Sequence, residues 1–239
     1  MQDEYGQPIG EALPNWKKRA LPPRIVIEGR FCRIEPLSAK RHAASLHAAY
    51  SRAPDGRAWT YMPVGPFVDA DAYRHWAEAA ARSADPLHFA VIDRATGEAV
   101  GTLALLRIDA ANGVIEVGFI AFSSALQRTP LSTEAHYLLM KLVFDELGYR
   151  RYEWKCDSLN APSRQAALRL GFSFEGIFRQ AVVYKGRSRD TAWYSIVDGE
   201  WPALRAAFES WLAPGNFDAQ GRQLRTLAEL RAAAPKADA

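Results

Sequence analysis

Apolar and polar residues alternate through the middle of the chain, and turn residues break the alternation at regular intervals. Leu87–Asp93 predicts a strand, Arg94-Ala95-Thr96-Gly97 a turn, and Val100–Ile108 a second strand. Asn112-Gly113, a strong hairpin signal, stands before a third, Val114–Phe122. Three consecutive antiparallel strands are therefore expected. Gly29–Leu37 alternates in the same way and predicts an earlier strand.

After the break Ser123–Leu131 the period changes. Ala135, Leu138, Leu139, Leu142 and Val143 recur at i, i+3, i+4, i+7 and i+8, which is one face of a helix. Ser132 or Thr133 offers its cap and Gly148 its end. Ser38 opens a helix to about Tyr50, and Asp69 or Asp71 caps another to about Arg82. Tyr152–Asp157 predicts a strand, and Asn160 caps a short helix with Pro162 in its first turn and Gly171 at its close. Phe172 to about Lys185 and Asp190–Val197 form a long hairpin across Gly186, and a last helix runs to Leu212.

The order β-α-α-β-β-β-α-β-α-β-β implies one α/β (α+β) domain with a mixed, mostly antiparallel sheet and helices on both faces. Residues 1–28, rich in Pro, Gly and charge, read as an extended arm to a domain over 29–213. Residues 214–239 read as a polar, alanine-rich tail with a short helix near Arg222–Arg231 and a frayed end.

Composition adds exclusions. Hydrophobic residues at 49% and charged residues at 24% suit a chain that buries a core, which excludes disorder of the whole. Thirty Lys and Arg against 27 Asp and Glu give a net charge of +3, scattered and too mild for a nucleic-acid binder. No apolar run approaches the roughly 20 residues that span a bilayer. The acidic start Met1-Gln-Asp-Glu-Tyr5 lacks the apolar core of a signal peptide. A cytoplasmic protein without membrane or direct nucleic-acid partners is expected. Cys32 and Cys156 read as small buried hydrophobes, and the five histidines show no metal-ligand spacing, so no metal is expected.

The segment Gly118–Ala135, followed by Asn160-Ala-Pro-Ser163 and Leu170-Gly171-Phe172, resembles the GCN5-related N-acetyltransferases (GNAT), in particular their RimJ/RimL-like ribosomal-protein branch. The T-E-A, N-x-x-S, L-G-F and E-G motifs of that branch stand here as Thr133-Glu134-Ala135, Asn160/Ser163, Leu170–Phe172 and Glu175-Gly176, in order, over roughly residues 29–198. The resemblance implies acetyl-CoA as co-substrate. The acceptor would be a primary amine, on a protein N-terminus or a small molecule, attacking the thioester directly. It also implies that strands Val114–Phe122 and Tyr152–Asp157 splay to admit the pantetheine arm beside Ile120 and Phe122, with Asn160 bonding that arm.

A helix starting at Ser132 aims free N–H groups and the positive end of its dipole at the preceding loop, where a pyrophosphate can sit. Gln127, Arg128, Thr129, Leu131, Ser132 and Thr133 would form this seat. The family's Q/R-x-x-G-x-G/A reads Gln127-Arg-Thr-Pro130-Leu-Ser132, so Pro130 costs the cradle one donor, which Arg128 would offset by charge. Glu134 in the first turn would repel a phosphate unless it turns away. The resemblance makes Ser163 the proton donor to the leaving thiolate, since the tyrosine other members use is replaced by Ala167. The glutamate seven residues beyond the E-G position is Val182, which leaves Glu116 as the expected base and Asp190 as a second carboxylate near the cleft. The acceptor wall would combine Trp59, Tyr61 and Phe67 with Arg179, Tyr184 and Arg187 of the last hairpin. Pro130, Val182 and Ala167 together also suit a non-catalytic acyl-CoA-binding relative. The arm and the Pro-rich loop are compatible with exchange in a homodimer.

Overall fold

The computed structural model describes residues 1–233. Its strands are β1 (Ile27–Glu28), β2 (Cys32–Pro36), β3 (Leu87–Asp93), β4 (Ala99–Asp109), β5 (Val114–Phe122), β6 (Arg151–Asp157), β7 (Ser173–Tyr184) and β8 (Arg187–Val197). They form one sheet in the order β1-β2-β3-β4-β5-β6-β8-β7. Every neighbouring pair is antiparallel except β5 and β6. Helices α1 (Ala39–Tyr50) and α2 (Ala70–Arg82) precede β3, α3 (Pro130–Lys141) joins β5 to β6, and α4 (Ala161–Leu170) joins β6 to β7. Helices α5 (Trp201–Leu212) and α6 (Leu227–Ala233) follow the sheet.

The alternation that predicts β3 also divides the core. Phe89 and Val91 join the main apolar cluster with α3, α4, α5 and α6, whereas Ala90 and Ile92 pack with α1 and α2 in a second one. Helices thus cover both faces, as expected. The second cluster draws its strand residues from β3, the start of β4 and the residue after β2, and none from β5 to β8. On that side the farther half of the sheet carries charge instead of an apolar cover.

The splay lies at the parallel pair. β5 and β6 are in register from Val114↔Arg151 to Val117↔Trp154 and no further, while β6 stays paired with β8 to Asp157↔Thr191. Between Ala121↔Thr102 and Gly118↔Ala104, β5 carries one more residue than β4, and Phe119 there has φ +49°. An extra residue in one strand bends it and raises its twist, which turns the end of β5 away from β6.

Several boundaries differ from the sequence reading. α3 begins at Pro130, two residues before Ser132, with Thr129 extended at the cap position. Proline suits the first helical turn, where its missing N–H has no intrahelical partner to lose. Asp69 caps α2 by accepting from the Ala72 N–H at 2.7 Å. Ser38 makes no side-chain cap on α1; its own N–H donates to His42 Nδ1 at 3.2 Å. The tail helix starts at Leu227, and residues 217–223 instead form a small hairpin closed by a Phe217/Gln223 bridge. Leu227 and Leu230 belong to the main apolar cluster. The frayed end expected beyond Ala233 lies outside the described residues. The N-terminal arm is tied to the end of the sheet, where Trp16 Nε1–H donates to the Ala111 carbonyl at 2.8 Å and the Arg19 N–H to Ala110 at 2.9 Å.

Candidate active site

Where β5 leaves β6, the sheet opens into a cleft of about 1680 Å³. Its walls include Gly118–Phe122 of β5, Lys155–Asp157 of β6, the turn into α3 and the first turn of α4.

The strand-to-helix loop is braced by its own side chains. Gln127 Nε2 donates to the Phe122 carbonyl at 2.8 Å, Thr129 Oγ1 to Leu126 at 2.7 Å, and Ser132 Oγ to Thr129 at 2.8 Å. Arg128 takes the left-handed conformation, φ +60°, at the bend. Gln127, Arg128, Thr129, Ser132 and Thr133 line the cleft together with Ile120 and Phe122, whereas Leu131 packs against the main core. Glu134 turns away from it. Buried at 3% exposure, its carboxylate accepts from the N–H groups of Arg30 at 2.7 Å, Phe31 at 2.6 Å and Cys32 at 2.7 Å. The adjoining turn needs Gly29, since a Cβ there would lie 2.6 Å from that carboxylate.

At the opposite wall Asn160 Oδ1 accepts the Ser163 N–H at 3.2 Å and caps α4. Trp154 Nε1–H donates to Ser163 Oγ at 3.0 Å, so that oxygen acts as an acceptor toward the indole. Asn160 and Ser163 both line the cleft.

Glu116 also lines it and is 5% exposed. Lys155 Nζ lies 3.0 Å from its Oε2 and Arg107 Nε 3.2 Å. Lys155 is shared: its Nζ stands 2.7 Å from Glu153 and 3.7 Å from the centre of the Trp193 ring. Beyond it Arg151 bridges Glu153 and Glu175. Burial pushes the Glu116 pKa up from the ordinary carboxylate range, and the Lys155 ammonium works against that shift.

Five further buried polar atoms on these walls have no partner within the protein: Ser123 Oγ, His136 Nδ1, Arg189 Nε, Thr191 Oγ1 and Trp193 Nε1. Buried polar groups are nearly always paired, so their gathering on one cleft marks a surface built to meet a ligand.

The expected acceptor residues separate into two sets. Trp59 and Tyr61 line the cleft, and Tyr61 O–H donates to the Leu159 carbonyl at 3.2 Å. Tyr184 stands behind the wall and donates to Asp157 Oδ2 at 2.9 Å; burial raises its pKa to about 12. Phe67 belongs to the second core, against Tyr73 at 5.0 Å. Arg179 and Arg187 are exposed and outside the cleft walls. Asp190 accepts the Gln180 N–H at 2.7 Å, at a bulge in β7. The residues that sequence reasoning missed are Lys155, Asp157, Arg189, Thr191 and Trp193. Their signal was the polar phase of the alternation along β6 and β8. Lys185 was missed as well: its ammonium bonds the Trp59 carbonyl at 2.8 Å and Gly65 at 3.0 Å, tying the aromatic loop to the last hairpin.

The family model of the acetyltransferase (GNAT) domain matches residues 32–173. The chain belongs to the GNAT acetyltransferase family. A crystal structure of a GCN5-related N-acetyltransferase from Brucella melitensis is 52% identical, covers 92% of this chain and 100% of that one, and superposes with a TM-score of 0.90. An uncharacterized N-acetyltransferase, p20, from Bacillus licheniformis is 28% identical over 144 residues, 59% of this chain and 80% of that protein. RimL, a ribosomal L7/L12 alpha-N-protein acetyltransferase, shares the fold with a TM-score of 0.62 at 18% identity, over 74% of this chain and 99% of its own. This GNAT protein is accordingly an N-acetyltransferase. Among its described residues no helix is long and apolar enough to cross a membrane, and no cluster of His, Cys, Asp and Glu could hold a metal ion.

Proposed function

We propose that this GNAT enzyme moves the acetyl group of acetyl-CoA to a primary amine, on a peptide N-terminus or a small molecule, by direct attack. The observation that carries the reading is that Glu116 of β5 and Ser163 of α4 line a single cleft, opened by the parting of two central strands. The unpartnered Ser123 and His136 atoms beside the start of α3 support a fit to a polar, anionic coenzyme. In this reading Leu131 and Thr133 contribute N–H groups to the pyrophosphate, with Gln127, Arg128, Thr129 and Ser132, whose own N–H is held by the Thr129 carbonyl at 3.2 Å, shaping the loop around it. Ile120 and Phe122 supply strand backbone to the pantetheine arm, and Asn160 adds a side-chain bond. One lone pair of the Phe122 carbonyl is already held by Gln127.

Acetyl-CoA supplies the activated acyl group as a thioester. Glu116 takes the proton of the attacking amine, directly or through water, with Lys155 and Arg107 fixing its carboxylate. A new C–N bond forms as the C–S bond breaks, and Ser163, oriented by Trp154, gives its proton to the departing sulfur while regaining one from water, the proton on Glu116 passing to solvent. Trp59 and Tyr61 frame the acceptor, and Tyr184 acts only from behind the wall, through its bond to Asp157. Arg179 would touch it only if the acceptor reaches beyond the cleft, as a peptide does.

Thiol release from acetyl-CoA across a panel of peptides, amino acids and polyamines tests the reading. Release matched by amide product is expected for at least one class; coenzyme binding without transfer to any amine would overturn it in favour of an acyl-CoA-binding relative. Ser163→Ala should lower kcat roughly 10²-fold with coenzyme affinity unchanged. An unaltered kcat removes Ser163 from the mechanism.

A further inference from the structure

The cleft does not end at the start of α3. It continues between α3, α4 and the C-terminal segment, where Arg169, Trp211, Phe217 and residues 221–223 form its outer corner. All but Arg169 lie beyond residue 173, where the match to the family domain stops.

This corner is firmly built. Asn216 Nδ2 donates to the Trp211 carbonyl at 3.0 Å and to Arg225 at 3.1 Å, and its Oδ1 accepts from the Arg225 N–H at 2.9 Å. Trp211 Nε1–H bonds Gln223 Oε1 at 2.8 Å, and Phe217 packs edge-on against Trp211 at 5.4 Å. Asp218 pairs with Arg222 at 2.8 Å, so the charge on the hairpin is balanced internally.

The charge of Arg169 is not balanced. Its Nη1 donates to Thr133 Oγ1 in the first turn of α3 at 3.0 Å, and its guanidinium lies 5.4 Å from the Trp211 ring. No carboxylate pairs with it among the described residues, and the surrounding walls hold its pKa below the ordinary arginine range by desolvation alone. The nearest acid in sequence on α3, Glu134, faces the opposite way. Beside it His136, 4% exposed, has an unpartnered Nδ1 on the cleft wall. An exposed guanidinium with no carboxylate partner, held at the positive end of a helix next to a buried and unsatisfied imidazole, is suited to a phosphate.

We propose that this corner is the seat of the 3′-phosphoadenosine end of the coenzyme, with Arg169 reading the 3′-phosphate and the 217–223 hairpin walling the nucleotide. The C-terminal segment is then part of the coenzyme site. The proposal rests on the acetyl-CoA reading above, and the experiment separates the two.

Calorimetric titration of the full-length enzyme with CoA and with 3′-dephospho-CoA is the test. The native protein should bind CoA about tenfold more tightly than 3′-dephospho-CoA, the scale of one charge-assisted contact. Arg169→Gln should erase that preference and leave 3′-dephospho-CoA affinity unchanged, while Arg169→Lys should keep part of it. Melting of both variants without ligand, at the native temperature, excludes a folding defect. Equal affinities in the native protein overturn the proposal, as does an Arg169→Gln variant that weakens both ligands alike, which would place Arg169 on the pyrophosphate. If the native protein binds neither ligand, the acetyl-CoA reading itself falls.

Discussion

Glu134 and Glu116 are both buried carboxylates, on either side of the same strand-to-helix loop, yet their surroundings differ in kind. Glu134 has three backbone N–H groups within 2.7 Å and no cation. Its charge is solvated by peptide dipoles of the β1–β2 turn, so its task is to hold that turn against α3. Glu116 is met by two cations, one of them shared with Glu153, and burial raises its pKa. A carboxylate filled by fixed donors serves as a structural clamp. One that is divided between shared cations and pushed by burial toward its neutral form is suited to proton transfer.

The contrast can be broken in order of size. Glu134→Ala strands three N–H donors, so it should cost about 4 kcal/mol and lower the melting temperature by roughly 8–16 °C. A shift under 2 °C, within about 1 kcal/mol on that scale, would show that water replaces the carboxylate without loss. Glu116→Gln should reverse the pattern, with kcat falling roughly 10²-fold and stability changing by about 1 kcal/mol or less. The native rate should fall as pH drops through the raised Glu116 pKa, because the base must be ionised to act. The variant should lack that limb, and a limb that survives belongs to another group. The sign for stability is opposite: a carboxyl whose pKa is raised on folding favours the native state below its unfolded value and loses that contribution as pH rises. Lys155→Met removes the cation that opposes the shift, so the acidic limb should move upward by about one pH unit. A stationary limb would mean that Arg107 alone sets it.

Much of this was legible in the chain. Strand alternation placed β3 and β5 to the residue, and Asn160 and Gly171 marked the ends of α4, because those signals are local. The start of α3 was misplaced because Pro130 reads as a loop breaker, although a helix accepts it in the first turn. Glu116 and Ser163 stood out by type and motif, but Lys155 and Trp193 did not, since their meaning depends on β6 pairing with β8 rather than with its neighbour in sequence. Arg179 and Arg187 looked like cleft residues because they flank a hairpin tip, but Arg179 falls in the bulge of β7, and Arg187, although in phase with Arg189, sits at the tip beyond the cleft walls. The tail's docking onto α4 was illegible, because a short apolar pair such as Leu227 and Leu230 does not disclose what it packs against.

The early parting of β5 from β6 also bears on solubility. Unpaired strand edges invite stray strands and seed aggregation when they lie at the rim of a sheet. Here the free edges face each other within a crevice flanked by the aromatic loop and the last hairpin. A slender chain can thread between them, whereas a whole sheet is too thick to enter, so the main-chain groups of this parting stay accessible inside the crevice without forming an open rim there.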